Sequence, residues 1–283
     1  MNILTFDIED LWVYDHYKIG NKEDYIPRLD SYLNQILDLL DERGFKATFF
    51  CLGIMAERYP EVIKLIADRG HQIGCHSYGH QFLSDVSREE FEEDTCKAIS
   101  ILENIAGNKV TAYRAPAFSI SEKNKWALEV LAQNGILFDC SIFPAIRSFG
   151  GFPSYNTDRP AIVKYNGITM KEFPISLTDM LGKRIAYSGG GYFRLFPYSK
   201  INKIINRSDY VMTYFHLRDF DKEQERKTKL VDGENLILRY FKNYYGLNSC
   251  FSKFEKLIRE NEFVSLERAD TMIDWNKTDI INV

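Results

Sequence analysis

Two histidines four residues apart, His76 and His80, stand in the segment Gly74-Cys-His-Ser-Tyr-Gly-His80. Neutral imidazoles at that spacing are familiar ligands of zinc and related divalent ions. Gly74, Ser77 and Gly79 place these two on a strand end entering a turn rather than on a helix. A carboxylate cluster, Asp7, Glu9 and Asp10, closes the run Thr5-Phe-Asp-Ile-Glu-Asp10. Three carboxylates are costly to hold together without a cation, although a solvated loop would also tolerate them. The labour can be divided: one carboxylate joins the two histidines on a metal, and another stays free as a base. Two imidazoles and one carboxylate leave positions open for water and substrate, and such a metal lowers the pKa of bound water to about 7. Arg114 could hold the free carboxylate through its planar fork, and His216 could protonate a leaving group. That chemistry is metal-assisted hydrolysis.

These residues need elements that bring them together. Helical stretches at 28–43, 60–69, 87–106 and 121–134 each end near a glycine (Gly44, Gly70, Gly107, Gly135), and a short apolar run follows each. Glycine after a helix lets the chain turn back, and repeated helix–glycine–strand units imply parallel strands with crossovers. Further strands are expected at 3–6, 170–174, 211–215 and 263–266. Ser87 and Glu90 form a capping-box pattern. The runs are spread over the whole chain, which fits one barrel of seven or eight β/α units better than two domains. Asp7, His76, Arg114, Asp139 and His216 all fall at the carboxyl ends of these runs. In a β/α barrel those ends open on one face, where active sites sit. His71 starts a strand at its other end and is assigned a structural role. Gly189-Gly190-Gly191 lacks the Lys-Ser/Thr and the spacing of a phosphate loop, so it reads as a place of close backbone approach. Long loops are expected at 144–167 and 218–234.

Composition excludes several classes. The 283 residues include 36 Lys+Arg and 40 Asp+Glu, for a net charge of −4, so nothing pulls the chain as a whole to nucleic acid or anionic lipid. Hydrophobic residues at 45% argue against disorder. The longest near-apolar run is about ten residues, too short to span a bilayer. The N-terminus does not read as a signal peptide, and five cysteines without a C-x-x-C pair read as reduced thiols, so a cytoplasmic location is expected. With 17 Tyr and 20 Phe the chain could stack sugars, but core packing explains aromatics as well.

At its motifs the sequence resembles the polysaccharide deacetylases, the NodB-type domain of carbohydrate esterase family four. It looks closest to the branch associated with bacterial exopolysaccharide, capsule and O-antigen gene clusters. Thr-Phe-Asp-Ile-Glu-Asp10 is similar to the family's first motif, His76-Ser-Tyr-Gly-His80 to its second and Tyr-Arg114-Ala-Pro116 to its third. Phe-Asp139-Cys-Ser141-Ile-Phe-Pro144 resembles the fourth and Tyr-Phe-His216 the fifth. Gly-Gly-Gly-Tyr192-Phe-Arg194 and Arg239-Tyr-Phe look like further marks of the branch. The resemblance covers almost the entire chain. It implies a single α/β domain over 1–283, a deformed (β/α)7-type, TIM-like barrel, and a divalent metal, commonly zinc (Zn2+).

Carried over, Asp7 matches the general base, His76 and His80 the metal histidines, Arg114 the residue that orients the base and His216 the general acid. Asp139 lies in the motif that supports the acid. Most of the family has adjacent aspartates in the first motif, whereas Ile8 follows Asp7 here. The metal carboxylate is then Glu9, which strand alternation puts on the face of Asp7, or Asp10, which keeps the family's usual aspartate and is preferred for that reason. Ala117 stands where many members carry Tyr, and its backbone N–H still serves as an oxyanion donor. The implied reaction removes N-acetyl groups from an amino sugar in a bacterial surface polysaccharide or its precursor. The rivals are a small-molecule C–N hydrolase on the same scaffold, a non-catalytic carbohydrate-binding relative and a non-haem iron oxygenase, whose site also uses two histidines and a carboxylate.

Overall fold

The computed structural model describes residues 1–9, 26–147, 150–180, 182–224, 240–241 and 243–283. Residue parity builds its sheet. Along Asn2–Ile3 (β1) and Thr5–Ile8 (β2), Leu4, Phe6 and Ile8 join an outer apolar layer, whereas Ile3 joins an inner one. The split recurs in Thr48–Cys51 (β3), where Phe49 and Cys51 face out and Phe50 faces in. In Gln72–Cys75 (β4) Ile73 and Cys75 face out. In Ala112–Tyr113 (β5) Tyr113 faces out, and in Phe138–Asp139 (β6) Phe138 faces in. Successive strand side chains point to opposite faces, so each apolar residue fixes the direction of its neighbour.

The strands Ala161–Tyr165 (β7), Ile168–Glu172 (β8), Thr178–Met180 (β9), Lys183–Ile185 (β10), Val211–Met212 (β11), Phe215–His216 (β12) and Ile280–Asn282 (β13) follow. The main sheet has the order β12-β2-β3-β4-β5-β6-β8-β7-β13. From β12 to β8 every pairing is parallel. These seven parallel strands match the expected repeat. β7 pairs antiparallel with β8, and β1 pairs with β11 beside the main sheet. Among the described residues no ladder joins β8 back to β12. The seam is bridged by side chains instead: Ser176 Oγ accepts Met212 N–H at 2.7 Å and the Tyr210 hydroxyl donates to Pro174 O at 2.7 Å. The fold is therefore α/β with a mostly parallel, deformed sheet, and the barrel is not closed by hydrogen bonds.

Helices Ile26–Arg43 (α1), Gly53–Arg58 (α2), Pro60–Asp68 (α3), Arg88–Ala106 (α4), Trp126–Gln133 (α5), Gly190–Leu195 (α6), Tyr198–Ile205 (α7), Leu247–Glu260 (α8) and Leu266–Met272 (α9) accompany the sheet. Leu37, Ile66, Leu102, Leu128 and Phe254 carry the outer layer onto α1, α3, α4, α5 and α8. α4 has the anticipated capping box: Ser87 N–H donates to Glu90 Oε2 at 2.7 Å and Glu90 N–H to Ser87 Oγ at 3.2 Å. Its end turns on Gly107, with φ 73°. His71 accepts the Ala47 N–H at Nδ1, 3.2 Å away, and burial pushes its pKa down to about 4, so the ring stays neutral and ties β3 to β4. No helix among the described residues is long and apolar enough to cross a membrane.

Two expectations change. The loop at 144–167 ends early, because β7 occupies 161–165 and turns through Asn166 (φ 43°) and Gly167 (φ 82°) into β8. The strand at 263–266 shrinks to one bridge, Val264 with Ile3, because Ser265 caps α9 by accepting Arg268 N–H. Asp10, Arg239 and most of the 218–234 loop lie outside the described residues.

Candidate active site

Each inward polar residue follows an outward apolar one. Asp7 follows Phe6, Glu9 follows Ile8, His76 follows Cys75, Arg114 follows Tyr113 and His216 follows Phe215. The parallel register sets His216 opposite Asp7, and β3 separates β2 from β4. The five side chains therefore converge at one end of the sheet, and all but half-buried His216 are buried.

Arg114 Nη1 donates to Asp7 Oδ1 at 2.7 Å, with both side chains almost fully buried. The guanidinium lies 4.2 Å from the centre of the Phe50 ring, so packing as well as charge fixes it. Glu9 Oε2 lies 3.4 Å from His76 Nε2 and 2.9 Å from His80 Nε2. Burial alone would raise the Glu9 pKa, but the neighbouring His80 and His216 imidazoles hold it well below the usual carboxylate range. Burial works against the charged form of His76, and Asp7 and Glu9 outweigh it, so its pKa is raised.

The turn carrying the histidines is built by its surroundings. Ser77 and His80 have positive φ, 70° and 58°. Asp94 on α4 accepts Tyr78 N–H at 2.7 Å and Gly79 N–H at 3.0 Å, and Ser77 Oγ accepts His80 N–H at 3.0 Å. His76 Nδ1 lies 2.7 Å from Arg114 O. A carbonyl only accepts, so Nδ1 carries the proton and Nε2 turns its lone pair inward.

Glu9, His76 and His80 each offer a ligand atom within 4.8 Å of the others. Two fixed imidazoles and an anionic carboxylate are the donor set that zinc and related divalent ions take, so the residues fit the ion. Among the described residues the carboxylate in this group is Glu9, the alternative that strand alternation supports, whereas Asp10, the preferred candidate, lies outside them.

His216 closes the other side. Its Nε2 lies 3.3 Å from Glu9 Oε1 and 3.7 Å from Asp7 Oδ2. Burial pushes its pKa down to about 4, against the pull of Glu9 and Asp7. Its Nδ1 meets Asp219 Oδ2 at 3.1 Å, and Arg194 forms a buried ion pair with Asp219 Oδ1. Sequence reasoning did not single out Asp219, and it noted Arg194 without a role. The acid three residues after His216 was the available signal.

Asp139 goes elsewhere. Its register row is Cys75, Tyr113, Asp139 and Glu172, the outward row, because it follows the inward Phe138. It accepts the Ser141 hydroxyl at 2.5 Å, and Ser141 Oγ in turn accepts Ala115 N–H at 2.7 Å. Glu172 Oε1 accepts Ile142 N–H at 3.1 Å. Burial raises Asp139 to about 6, and burial with the charge of Asp139 raises Glu172 well above its ordinary value. The supporting role expected of Asp139 is corrected accordingly: the carboxylate on His216 is Asp219, and Asp139 braces the loop that follows Arg114. On that loop Ala117 sits at φ 53°, ψ 21°, and among the described residues no acceptor takes its N–H. Positive φ at a non-glycine residue is the kind of strain that collects at functional sites.

Fold and site together define an α/β protein with a candidate divalent-metal centre and an Arg-clamped aspartate at its strand ends. Residues 3–137 match the polysaccharide deacetylase family, and residues 140–271 match a domain of unknown function (DUF3473). A peptidoglycan-N-acetylglucosamine deacetylase of Bacillus cereus is 39% identical over 109 residues, 38% of this chain and 38% of that protein. Chitin deacetylase 1 of Saccharomyces cerevisiae is 31% identical over 106 residues, 37% of this chain and 35% of that protein. The matches thus span less than half of these relatives' lengths. A Mycobacterium smegmatis crystal structure classed with the polysaccharide deacetylases shares the fold, with a TM-score of 0.64 and 18% identity over 98% of this chain and 90% of that one.

Proposed function

We propose that this protein is a metal-dependent hydrolase that removes N-acetyl groups from an amino sugar in a surface glycan or its precursor. The observation that carries the reading is the convergence of Glu9, His76 and His80 beside the Arg114–Asp7 pair, with His216 across from both. The match to the polysaccharide deacetylase family over 3–137 and relatives named for peptidoglycan and chitin support the substrate class.

Glu9, His76 and His80 would hold the divalent ion, with zinc the expected metal. When bound, it supplies Lewis-acid polarisation of the acetyl carbonyl and lowers the pKa of water in its open positions towards about 7. Asp7, oriented by Arg114, takes a proton from the attacking water. The Ala117 N–H is the backbone donor for the oxyanion that develops on the carbonyl, a role that needs no side chain. The proton that Asp7 takes from water passes to His216 Nε2, 3.7 Å from Asp7 Oδ2, and from there to the departing amine, so that acetate and a free amino sugar leave.

The test is acetate release by metal-loaded protein from N-acetylhexosamine oligomers, peptidoglycan fragments and lipid-linked N-acetylated glycans. Acetate from at least one class is expected. No acetate from any of them, with metal stoichiometrically bound, overturns the reading.

A further inference from the structure

His216 is held from behind by a chain of buried contacts through Asp219 and Arg194. Asp219 Oδ2 accepts two donors of the same residue, the His216 backbone N–H at 2.9 Å and the ring Nδ1 at 3.1 Å. Asp219 Oδ1 pairs with Arg194 Nη1, and the two side chains are only 4% and 5% exposed. With both oxygens accepting, Asp219 leaves the proton on Nδ1. That nitrogen stays protonated in the neutral and the charged ring alike, so protons come and go only at Nε2, the atom 3.3 Å from Glu9 and 3.7 Å from Asp7.

The surroundings bring Arg194 into place. It lies on α6, which opens with the glycine run. A Cβ on Gly189 would lie 1.7 Å from Tyr214 O, and Gly190 has φ +54°. Only glycine lets α6 abut the chain that leads into His216. At the other end of α6, Lys253 on α8 donates to the carbonyls of Phe193, Arg194 and Phe196 at 3.0, 3.0 and 2.7 Å. A cation there also complements the helix dipole. Lys253 therefore fixes the helix, the helix aims Arg194, Arg194 fixes Asp219, and Asp219 fixes the imidazole.

We infer that Arg194 and Asp219 are positioning residues for His216, and that the segment 140–271, which matches a domain of unknown function, supplies the acid arm of the site. The catalytic consequence rests on the proposed deacetylase reading, whereas the tautomer does not. Asp219 takes no proton in the step: one proton leaves Nε2 for the amine, and Asp219 steadies the ring in both states.

The experiment is nitrogen NMR of the zinc-loaded, 15N-histidine-labelled full chain, with the His216 signals assigned by their loss in His216→Gln. Neutral His216 is expected as the Nδ1–H tautomer. Asp219→Asn, which can offer an N–H where the carboxylate accepted, is expected to shift the ring towards Nε2–H. It should also lower kcat by about 100-fold or more with KM within about threefold. If Asp219→Asn fails to fold, Arg194→Lys carries the same two readouts with a smaller loss. A wild-type ring protonated at Nε2, or a variant with unchanged tautomer or unchanged kcat, overturns the inference. A wild-type protein that releases no acetate defeats the deacetylase reading alone, and the tautomer still decides the relay.

Discussion

Asp7 and Asp139 are both buried aspartates at the carboxyl ends of parallel strands in one sheet, and they do opposite work. Asp7 follows an outward phenylalanine, faces in, and meets Arg114. Asp139 follows an inward phenylalanine, faces out, and meets Ser141 and a second carboxyl, Glu172. One position of strand parity separates a reacting group from a structural one. The inward row is charged and opens on the site, and the outward row lowers its own charge by retaining protons.

This contrast can be broken by substitution. Asp7→Asn keeps the shape and removes the base, so acetate release by metal-loaded protein is expected to fall by about 1,000-fold or more. Glu9→Gln should weaken divalent-metal binding by more than about 100-fold, beyond the loss typical of outer partners, while Asp10→Asn leaves it in place; metal analysis after dialysis reads both. Asp219→Asn comes next, with the loss of about 100-fold given above.

The smallest effect on rate, and the one that sharpens the contrast, is Glu172→Gln. The glutamine oxygen can still accept the Ile142 N–H, so kcat is expected to stay within about twofold. Stability should change instead. The folded chain keeps protons on Asp139 to about pH 6 and on Glu172 well above its ordinary value, while the unfolded chain sheds them near pH 4. The folded state binds more protons in that window, so this pair's contribution falls as pH rises from about 4 through 6 and beyond. Glu172→Gln removes the Glu172 share of that slope, leaving the burial-driven share of Asp139, and should raise the melting temperature near pH 8 by about 2–4 °C relative to wild type, with little gain near pH 4. Melting curves across pH check it. A variant with the wild-type slope would remove the pair from the account.

Much of the architecture was legible because helix ends and strands carry local signals. Glycines after helices, the Ser87–Glu90 box and the apolar runs gave the parallel sheet and the common end of Asp7, His76, Arg114 and His216. Alternation supported Glu9, since it shares the face of Asp7, although the family's usual aspartate tipped the preference to Asp10. The same parity test, applied to Phe138-Asp139, would have turned Asp139 away, but it needs the knowledge that Phe138 packs inside, which is a tertiary fact. Asn166-Gly167 is a strong hairpin signal, hidden in a stretch rich in other turn residues. Asp219 and Arg194 were hardest to read, because their pairing spans 25 residues and depends on glycines that let α6 approach Tyr214.

The central claim is that the Arg114-oriented Asp7 and the Glu9–His76–His80 group form one hydrolytic site for N-acetylated sugars. Its most direct measurement is acetate release from an N-acetylhexosamine substrate by zinc-loaded wild type and zinc-loaded Asp7→Asn side by side. The account predicts acetate from the first and at most about a thousandth of that rate from the second, at equal metal content. Equal rates from the two proteins would contradict it.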